Sequence, residues 1–400
     1  MNRVAVIGGS AGGLLAAEAL RRAGFQGSIA LVGDEPHLPY DRPPLSKQIL
    51  NGQWDADKVT LRSRAAIDAL GLDLRLGVAA TGLDADAHTV LLGDGTDLHY
   101  ERLIVATGVR ARRLPGAEGL QGVHTLRTLD DALALKARLG PGRRLVIVGA
   151  GFVGAEVAAV ARGLGAEVTI LEAGPVPMAA AIGEHAGRFL AAKHQEHGVH
   201  IRTGVVVTEV LGVDGAVGGV VLADGEVVPA DDLLIAIGST PNTEWLADSG
   251  LDTTNGLGCD QYCAAAPDVY GVGDVASWHN PLFDLAMRVE HRTNAAEQAL
   301  NVAGNLLALG ARRPYAPVPY IWSDQYDLKI QTFGYLRDHD EDLVLESDSS
   351  LARLVVAYRR GDRLTGVLAM GKSPKVLRAW RALIASGAAW ETAISETASV

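Results

Sequence analysis

The chain is short of cysteine, of cations and of long apolar runs. Two cysteines, Cys259 and Cys263, occur in 400 residues. That is too few for a disulfide scaffold. Their C-x-x-x-C spacing is not a usual zinc half-site and no second pair exists, so no metal site is expected. They read as two reduced, half-buried thiols of a cytoplasmic protein. Lys and Arg number 36 against 47 Asp and Glu, a net charge of −11. That excludes a general nucleic-acid binder, which needs clustered cations for phosphate. No stretch approaches 18 apolar residues, so no membrane span is expected. A strand beginning at Arg3 leaves no room for a secretory signal. What remains is ordinary for a globular chain of two or three domains, 48% apolar and 21% charged.

One stretch is far from ordinary. Leu145 to Val148 is an apolar run of the kind found in buried parallel strands. Gly149, Gly151 and Gly154 follow at G-x-G-x-x-G spacing, then an Ala-rich segment, Ala155 to Leu164, that predicts a helix. Val168 to Leu171 predicts a second strand, ending in Glu172. The spacing has a physical reason. The first glycine makes a tight turn, the second lets backbone approach a pyrophosphate, and the third lets helix pack on strand. The helix N-terminus offers free N–H groups and a partial positive charge. Glu172 can accept hydrogen bonds from ribose hydroxyls. It would repel a 2′-phosphate, and Ala173 to Pro177 supply no cation. NADH is therefore expected over NADPH.

Residues 3–35 repeat the pattern. A strand, Val4 to Ile7, leads into Gly8-Gly9-Ser10-Ala11-Gly12-Gly13, a helix through Arg22, and a strand from Ser28 to Val32 before Gly33-Asp34-Glu35. Gly8, Ser10 and Gly13 hold the fingerprint positions, with serine in the middle. Hairpin signals at Asp94-Gly95 and Asp224-Gly225 each precede a strand ending in glycine, Leu103 to Gly108 and Leu233 to Gly238. Two copies of one nucleotide-binding domain thus stand in tandem, and two nucleotides follow. Val269 to Asp274 is a further Gly-Asp-ended strand, followed by a predicted helix from Thr293 to Leu309. This reads as a return to the first domain. Beyond it, strands are predicted at Lys329–Phe333, Leu351–Tyr358 and Leu364–Met370, a helix at Pro374–Ser386, and a frayed tail after Thr392. The expected division is 1–112 with 240–318, 113–239, and 319–400.

Pro39-Tyr-Asp-Arg-Pro-Pro-Leu-Ser-Lys47 is a proline-locked turn leading into a helix. It brings two cations, Arg42 and Lys47, near the first fingerprint. Together with Val32-Gly-Asp-Glu35, Ala106-Thr-Gly108, Leu126-Arg-Thr-Leu-Asp-Asp131, the second fingerprint, Pro241-Asn-Thr, Gly273-Asp274 and Trp322-Ser-Asp-Gln325, it carries a resemblance along essentially the whole chain. The chain resembles the FAD- and NADH-dependent ferredoxin reductases that serve cytochromes P450 and ring-hydroxylating dioxygenases. The resemblance implies an α/β, glutathione-reductase-like fold. It has tandem Rossmann-type FAD and NAD domains and a C-terminal α+β domain.

Residue by residue, the resemblance implies the following. Gly12 and Gly13 would lie against the FAD pyrophosphate, with Gly8 and Ser10 also among the cofactor-binding residues. Asp34 and Glu35 would hold its adenosine ribose, and Ala80 would touch the adenine region. Arg42 and Arg127 would neutralise phosphate. Asp274 would bind the ribityl–phosphate part, Thr107 would be a further cofactor contact, and backbone near Arg292 would reach the ring. Lys47 would lie beside the flavin facing Glu156, and Trp322 would cover part of the ring. Gly149, Gly151, Gly154, Glu172 and Gly238 would serve NADH. Ser10 and the His291-Arg292 pair depart from the family pattern.

Other readings of these residues stay open. Glu156 could serve only as an acid in the first helical turn, where it suits the dipole. Trp322 could be a core aromatic, and His291 a packing residue. A disulfide reductase of the same fold would need a thiol pair after Pro43, where there is none. Rubredoxin, nitrite or monodehydroascorbate-type reductases share the cofactor motifs. A non-enzymatic, NADH-responsive interaction protein is the reading from another class. For an acidic ferredoxin partner, the candidate docking cations are Lys372, Lys375, Arg378 and Arg381, with no acid among residues 372–381.

Overall fold

The computed structural model describes residues 1–397 apart from Leu309, Leu351 and Ser373, and at Pro374, Lys375 and Thr397 the backbone alone. The chain divides into two compact units. One comprises residues 1–41, 57–110 and 240–317, the other 42–56, 111–239 and 318–400.

The first unit is built on a six-stranded sheet. Its order is Ala264–Ala266, Val269–Gly271, Arg102–Val105, Arg3–Ile7, Ser28–Gly33, Leu72–Leu76, parallel except for the first pair. The central strand is buried from Val4 to Ile7, as a parallel strand covered on both faces must be. The helix Ala11–Arg22 packs on it and on the helix Arg292–Leu307. Arg21 ends the first helix by donating to the carbonyls of Phe25, Gly27, Leu70 and Gly71. A cation here suits the negative helix end. The Asp94-Gly95 signal makes its hairpin: Thr89–Leu92 pairs antiparallel with Asp97–His99, and Gly95 sits at φ 83°.

The second unit contains a five-stranded parallel sheet, ordered His200–Thr203, Glu167–Glu172, Arg144–Val148, Asp232–Ile235, Val123–His124. The helix Phe152–Gly163 crosses over from its middle strand. Downstream lies a five-stranded antiparallel sheet. Its order is Tyr320–Gln325, Leu328–Gly334, Arg363–Met370, Arg353–Arg360, Glu341–Asp348. The helix Pro374–Ser386 buries Leu377, Trp380 and Ile384, an i, i+3, i+7 stripe, and leaves Arg378 and Arg381 exposed. A second core joins this sheet to the helix Ala179–Glu196, with Ile182, Ala186 and Leu190 against Leu328, Val356, Tyr358 and Leu368.

Several elements differ from the sequence reading. The fingerprint helix begins at Phe152, three residues earlier than expected, because Ala-richness marks its body and not its start. The helix expected from Thr293 runs Arg292–Leu307, and Leu309 lies outside the described residues. The strands Tyr320–Gln325 and Glu341–Asp348 were not foreseen. The expected Leu351–Tyr358 strand is Arg353–Arg360, Leu351 lying outside the described residues. The tail is not frayed at Thr392. It forms a helix, Trp390–Thr397, which packs on the strand Arg363–Met370 through buried Trp390 and Ala393.

A single carboxylate ties the edge of the parallel sheet. Asp232 is fully buried at the start of its strand and accepts from His124, Arg138 and Arg143. Burial pushes its carboxyl up, but these three donors outweigh it and hold it below the usual carboxylate range. Removing the carboxylate leaves cations without their partner. Asp232→Ala should destabilise the protein by about 2–4 kcal/mol, discounted for the part-exposed arginines. Because the folded carboxyl is depressed, its contribution is present above the unfolded value and lost as pH falls through the folded one. Thermal unfolding of both proteins from pH 7 down to pH 3 should show their difference shrinking.

Candidate active site

Two glycine turns are shaped by backbone contacts that forbid a side chain. At the first, Gly8 sits at φ 131°, and a Cβ there would lie 2.1 Å from the Ala106 carbonyl oxygen. A Cβ on Gly13 would lie 2.0 Å from the Gly8 oxygen. Ser10, by contrast, takes extended backbone at φ −113°, where any residue is allowed. This explains why serine is tolerated at the middle position. Its side chain makes no capping hydrogen bond, and the first turn carries no acid. The N–H groups of Ala11, Gly12 and Gly13 therefore have no intrahelical partner.

The second turn repeats this geometry. Gly149 sits at φ 98°, with a Cβ position 2.5 Å from the Ala236 oxygen. That of Gly154 is 2.4 Å from the Gly149 oxygen. In front of Gly151 there is open space, and this helix also lacks a side-chain cap and a first-turn acid. The helix Leu129–Lys136 is different: Thr128 and Asp131 close its start with a full capping box. The two fingerprint helices are thus left open where an anion would stabilise them, and the residues present fit two dinucleotides. Glu172 curls over the second turn, its carboxylate accepting from the N–H of Ala150 and of Gly174, both at 2.7 Å. Gly238, at φ 95°, lies three residues beyond the adjoining strand Asp232–Ile235, shorter than the expected Leu233 to Gly238, and its carbonyl accepts from Arg112 N–H at 3.0 Å.

Lys47 and Glu156, 109 residues apart, meet. Lys47 Nζ donates to Glu156 Oε2 at 2.7 Å, with both side chains largely buried. Lys47 stands in a π-helical turn, Leu45–Ile49, fixed by Pro43 and Pro44. Such turns are rare and often mark functional sites. Its ammonium also donates to the Pro43 carbonyl at 3.2 Å and weakly to Ser46 Oγ at 3.4 Å, so its three N–H bonds have acceptors. Glu156 lies in the second turn of its helix and is 5% exposed. The first-turn dipole reading of Glu156 therefore fails. Its carboxylate takes three donors: Lys47, Ser46 Oγ at 2.5 Å and Ser323 Oγ at 2.6 Å. The two serines were not foreseen, for no spacing links 46, 156 and 323.

The other candidates fall as follows. Arg42 donates to the Arg127 carbonyl at 2.6 Å, which brings two cationic residues together. Tyr40 donates to Glu35 at 2.5 Å, and Asp34 precedes it at the end of the strand Ser28–Gly33. Thr107 and Asn242 exchange hydrogen bonds at 2.8 and 2.9 Å. Ala80 opens the strand Ala80–Asp84, and Asp274 lies in a short 3₁₀ turn, Gly273–Val275. The Arg292 side chain is committed to Asp41 at 2.6 Å, which leaves backbone for any ring contact. His291 is the N-cap residue of that helix. Trp322 stacks on Tyr320 with ring centroids 5.7 Å apart. Cys259 and Cys263 are free, and burial pushes both thiols up from their ordinary range. That is opposite to what a redox thiolate requires.

Glu172→Arg removes the carboxylate that stands over the second turn and puts a cation there. The ratio of kcat/KM for NADH over NADPH should fall at least about tenfold, roughly 1.4 kcal/mol. Steady-state kinetics with the two nucleotides measure it. An unchanged ratio sinks the assignment of Glu172.

Residues 2–299 match the Pyridine nucleotide-disulphide oxidoreductase family and residues 320–398 the Reductase C-terminal family. The chain is 38% identical to rhodocoxin reductase of Rhodococcus erythropolis over 96% of its length and 89% of the relative's. It is 40% identical to the ferredoxin–NAD(+) reductase component of the p-cumate 2,3-dioxygenase system of Pseudomonas putida, over 84% of this chain and 81% of that one. Its structure superposes on the covalent putidaredoxin reductase–putidaredoxin complex with a TM-score of 0.92 at 32% identity, covering 96% of this chain and 93% of that one. The chain belongs to the pyridine nucleotide-disulphide oxidoreductases and, within them, to the FAD-containing, NADH-dependent ferredoxin reductases.

Proposed function

We propose that this protein takes electrons from NADH and passes them to a small iron–sulfur ferredoxin serving a cytochrome P450 or a ring-hydroxylating dioxygenase. The observation that carries this is the Lys47–Glu156 pair at the end of the proline-locked turn. A disulfide reductase of this fold needs a thiol pair there. The only two cysteines of the chain lie elsewhere, Cys263 buried and Cys259 half-buried, both with raised thiols. FAD, when bound, supplies the conversion between a two-electron donor and a one-electron acceptor.

The chain's own work is binding, positioning and electrostatics. Residues 1–112 and 240–318 hold FAD, and residues 113–239 hold NADH. The open helix end at Gly12 and Gly13 takes the FAD pyrophosphate, with Arg42 and Arg127 neutralising phosphate charge. Asp34 and Glu35 accept from its ribose, Ala80 borders the adenine, and Thr107, Asp274 and the backbone near Arg292 line the rest. Trp322 covers part of the ring. Lys47 sets a positive charge beside the ring, and Glu156 fixes where that charge sits. Gly149, Gly151, Gly154, Glu172 and Gly238 hold NADH. No helix among the described residues is long and apolar enough to cross a membrane, and we place the protein in the cytoplasm. NADH-driven reduction of a ferredoxin, run beside reduction of a small disulfide, tests the reading. Turnover of the disulfide without the ferredoxin would overturn it.

The docking face is the exposed side of the helix Pro374–Ser386. Arg378 and Arg381 are exposed there, three residues apart on one face. Lys372 contributes less than its sequence position suggests, because Glu346 pairs with it at 2.5 Å. The Lys375 side chain lies outside the described residues. With a chain at −11, a local basic face is what steers an acidic partner. Arg378→Glu with Arg381→Glu should slow ferredoxin reduction at low salt by about tenfold or more. NADH-to-ferricyanide turnover should fall much less, and rising ionic strength should erase the difference. Wild-type ferredoxin rates in low salt would move the docking face elsewhere.

A further inference from the structure

The Glu156 carboxylate is the end of a hydrogen-bond chain that the sequence does not announce. Ser323 Oγ donates to Glu156 Oε1 at 2.6 Å. Gln325 Nε2 donates to Ser323 Oγ at 3.2 Å. Gln325 Oε1 lies 2.9 Å from His194 Nε2, and Tyr326 O–H lies 2.9 Å from His194 Nδ1. Ser323, Gln325 and His194 are 0%, 1% and 2% exposed. Ser323 and Gln325 share one face of the strand Tyr320–Gln325, since alternate residues of a strand point the same way. Tyr326 is held at φ 56° in the turn after it, a left-handed conformation a bulky residue rarely adopts. Its ring stacks on His197, centroids 3.7 Å apart, and this fixes its direction.

Chemistry permits only one polarity for this chain. Ionised Glu156 can only accept, so Ser323 must donate to it. The serine oxygen then accepts, so the Gln325 amide nitrogen faces it and the amide oxygen faces His194. His194 must donate from Nε2, and its Nδ1 accepts from Tyr326. Burial, the larger cause, lowers the His194 value, which suits a neutral ring. Every bond points toward the carboxylate, and chains of one polarity strengthen each member.

We propose that Ser323, with Gln325 and His194 behind it, is a positioning residue that fixes the Glu156 carboxylate and, through it, the Lys47 ammonium. This rests on the reading of Lys47 and Glu156 as the charged pair beside the flavin. Lys47, from the π-helical turn, is the charged group in contact with the carboxylate. His194 and Tyr326 are the titratable groups along the chain. The serine works by geometry: it holds one oxygen of Glu156, so the other stays aimed at Lys47 and Ser46. Without it the carboxylate is free to rotate, and the ammonium loses its fixed partner.

The test uses the FAD-loaded protein. In Ser323→Ala, the limiting rate of flavin reduction by NADH should fall at least about fivefold, with the NADH dissociation constant within about twofold of wild type. Ser323→Thr, which keeps the hydroxyl, should recover most of the rate. Gln325→Met, which leaves Ser323 in place, should give a smaller loss in the same direction. Histidine ¹⁵N NMR of the wild type should show His194 neutral with its proton on Nε2. A His194 carrying its proton on Nδ1, or on both nitrogens, would overturn the chain. So would a Ser323→Ala rate equal to wild type while Glu156→Gln is slow, which leaves the reading of the pair standing. If neither Lys47→Met nor Glu156→Gln slows reduction, the reading of the pair falls as well.

Discussion

Two backbone contacts, each too close for a methyl group, set the geometry of both nucleotide turns. The carbonyl of the first glycine lies against the third glycine of its own fingerprint. The first glycine lies in turn against the carbonyl after a neighbouring strand, Ala106 or Ala236. Strand, turn and helix therefore approach as closely as backbone allows. The helix is brought in end-on with its N–H groups uncapped. Any side chain at Gly8, Gly13, Gly149 or Gly154 would push the helix off its strand. The uncapped helix end and the packing of the sheet are thus one constraint, and the fingerprint is short because that constraint is local.

That locality decides what could be read from the sequence. The inner parallel strands announced themselves as apolar runs, and the hairpins as Asp-Gly pairs between them. The parallel edge strands Leu72–Leu76, His200–Thr203 and Val123–His124 escaped, and so did strands of another kind. Tyr320–Gln325 buries Ser323 and Gln325, so it lacks the apolar face that marks a strand. Glu341–Asp348 is the edge of its sheet and carries acids at both ends. Charged edge strands resist pairing with other chains, and that same composition hides them. The terminal helix Trp390–Thr397 is eight residues long, too short to be stable by propensity. It exists because Trp390 and Ala393 find a place on the sheet. A tertiary contact made it, and no local signal could.

The candidate site divides along the same line. The glycines, Glu172 and the proline-locked turn were legible because each is a local pattern with a physical reason. That Lys47 faces Glu156 came only as an implication of resemblance, and the structure gives it a distance. The partners of that pair lay beyond reach. Ser46 neighbours Lys47 but carries no motif of its own, and Ser323 arrives from a strand 167 residues beyond Glu156. His194 gave no sign at all, being one histidine in a helix of mixed character. Buried polar residues in otherwise ordinary elements are what a periodicity search passes over.

A buried carboxylate is costly unless every acceptor position has a donor, and a buried donor is costly unless it has an acceptor. Glu156 meets the first demand with one cation and two hydroxyls. Meeting it with Ser323 creates the second demand one residue outward, since the serine oxygen must itself be satisfied. Gln325 answers that and passes the demand to His194, which passes it to Tyr326. The chain ends only where a ring reaches the exposed His197 and water is near. Its length is therefore set by the depth of the carboxylate. Moving Glu156 to the surface would make all four outer groups unnecessary. Keeping it buried, within hydrogen-bonding distance of Lys47, requires a file of polar side chains through the core between two sheets of the second unit. The left-handed Tyr326 is the backbone strain that closes that file.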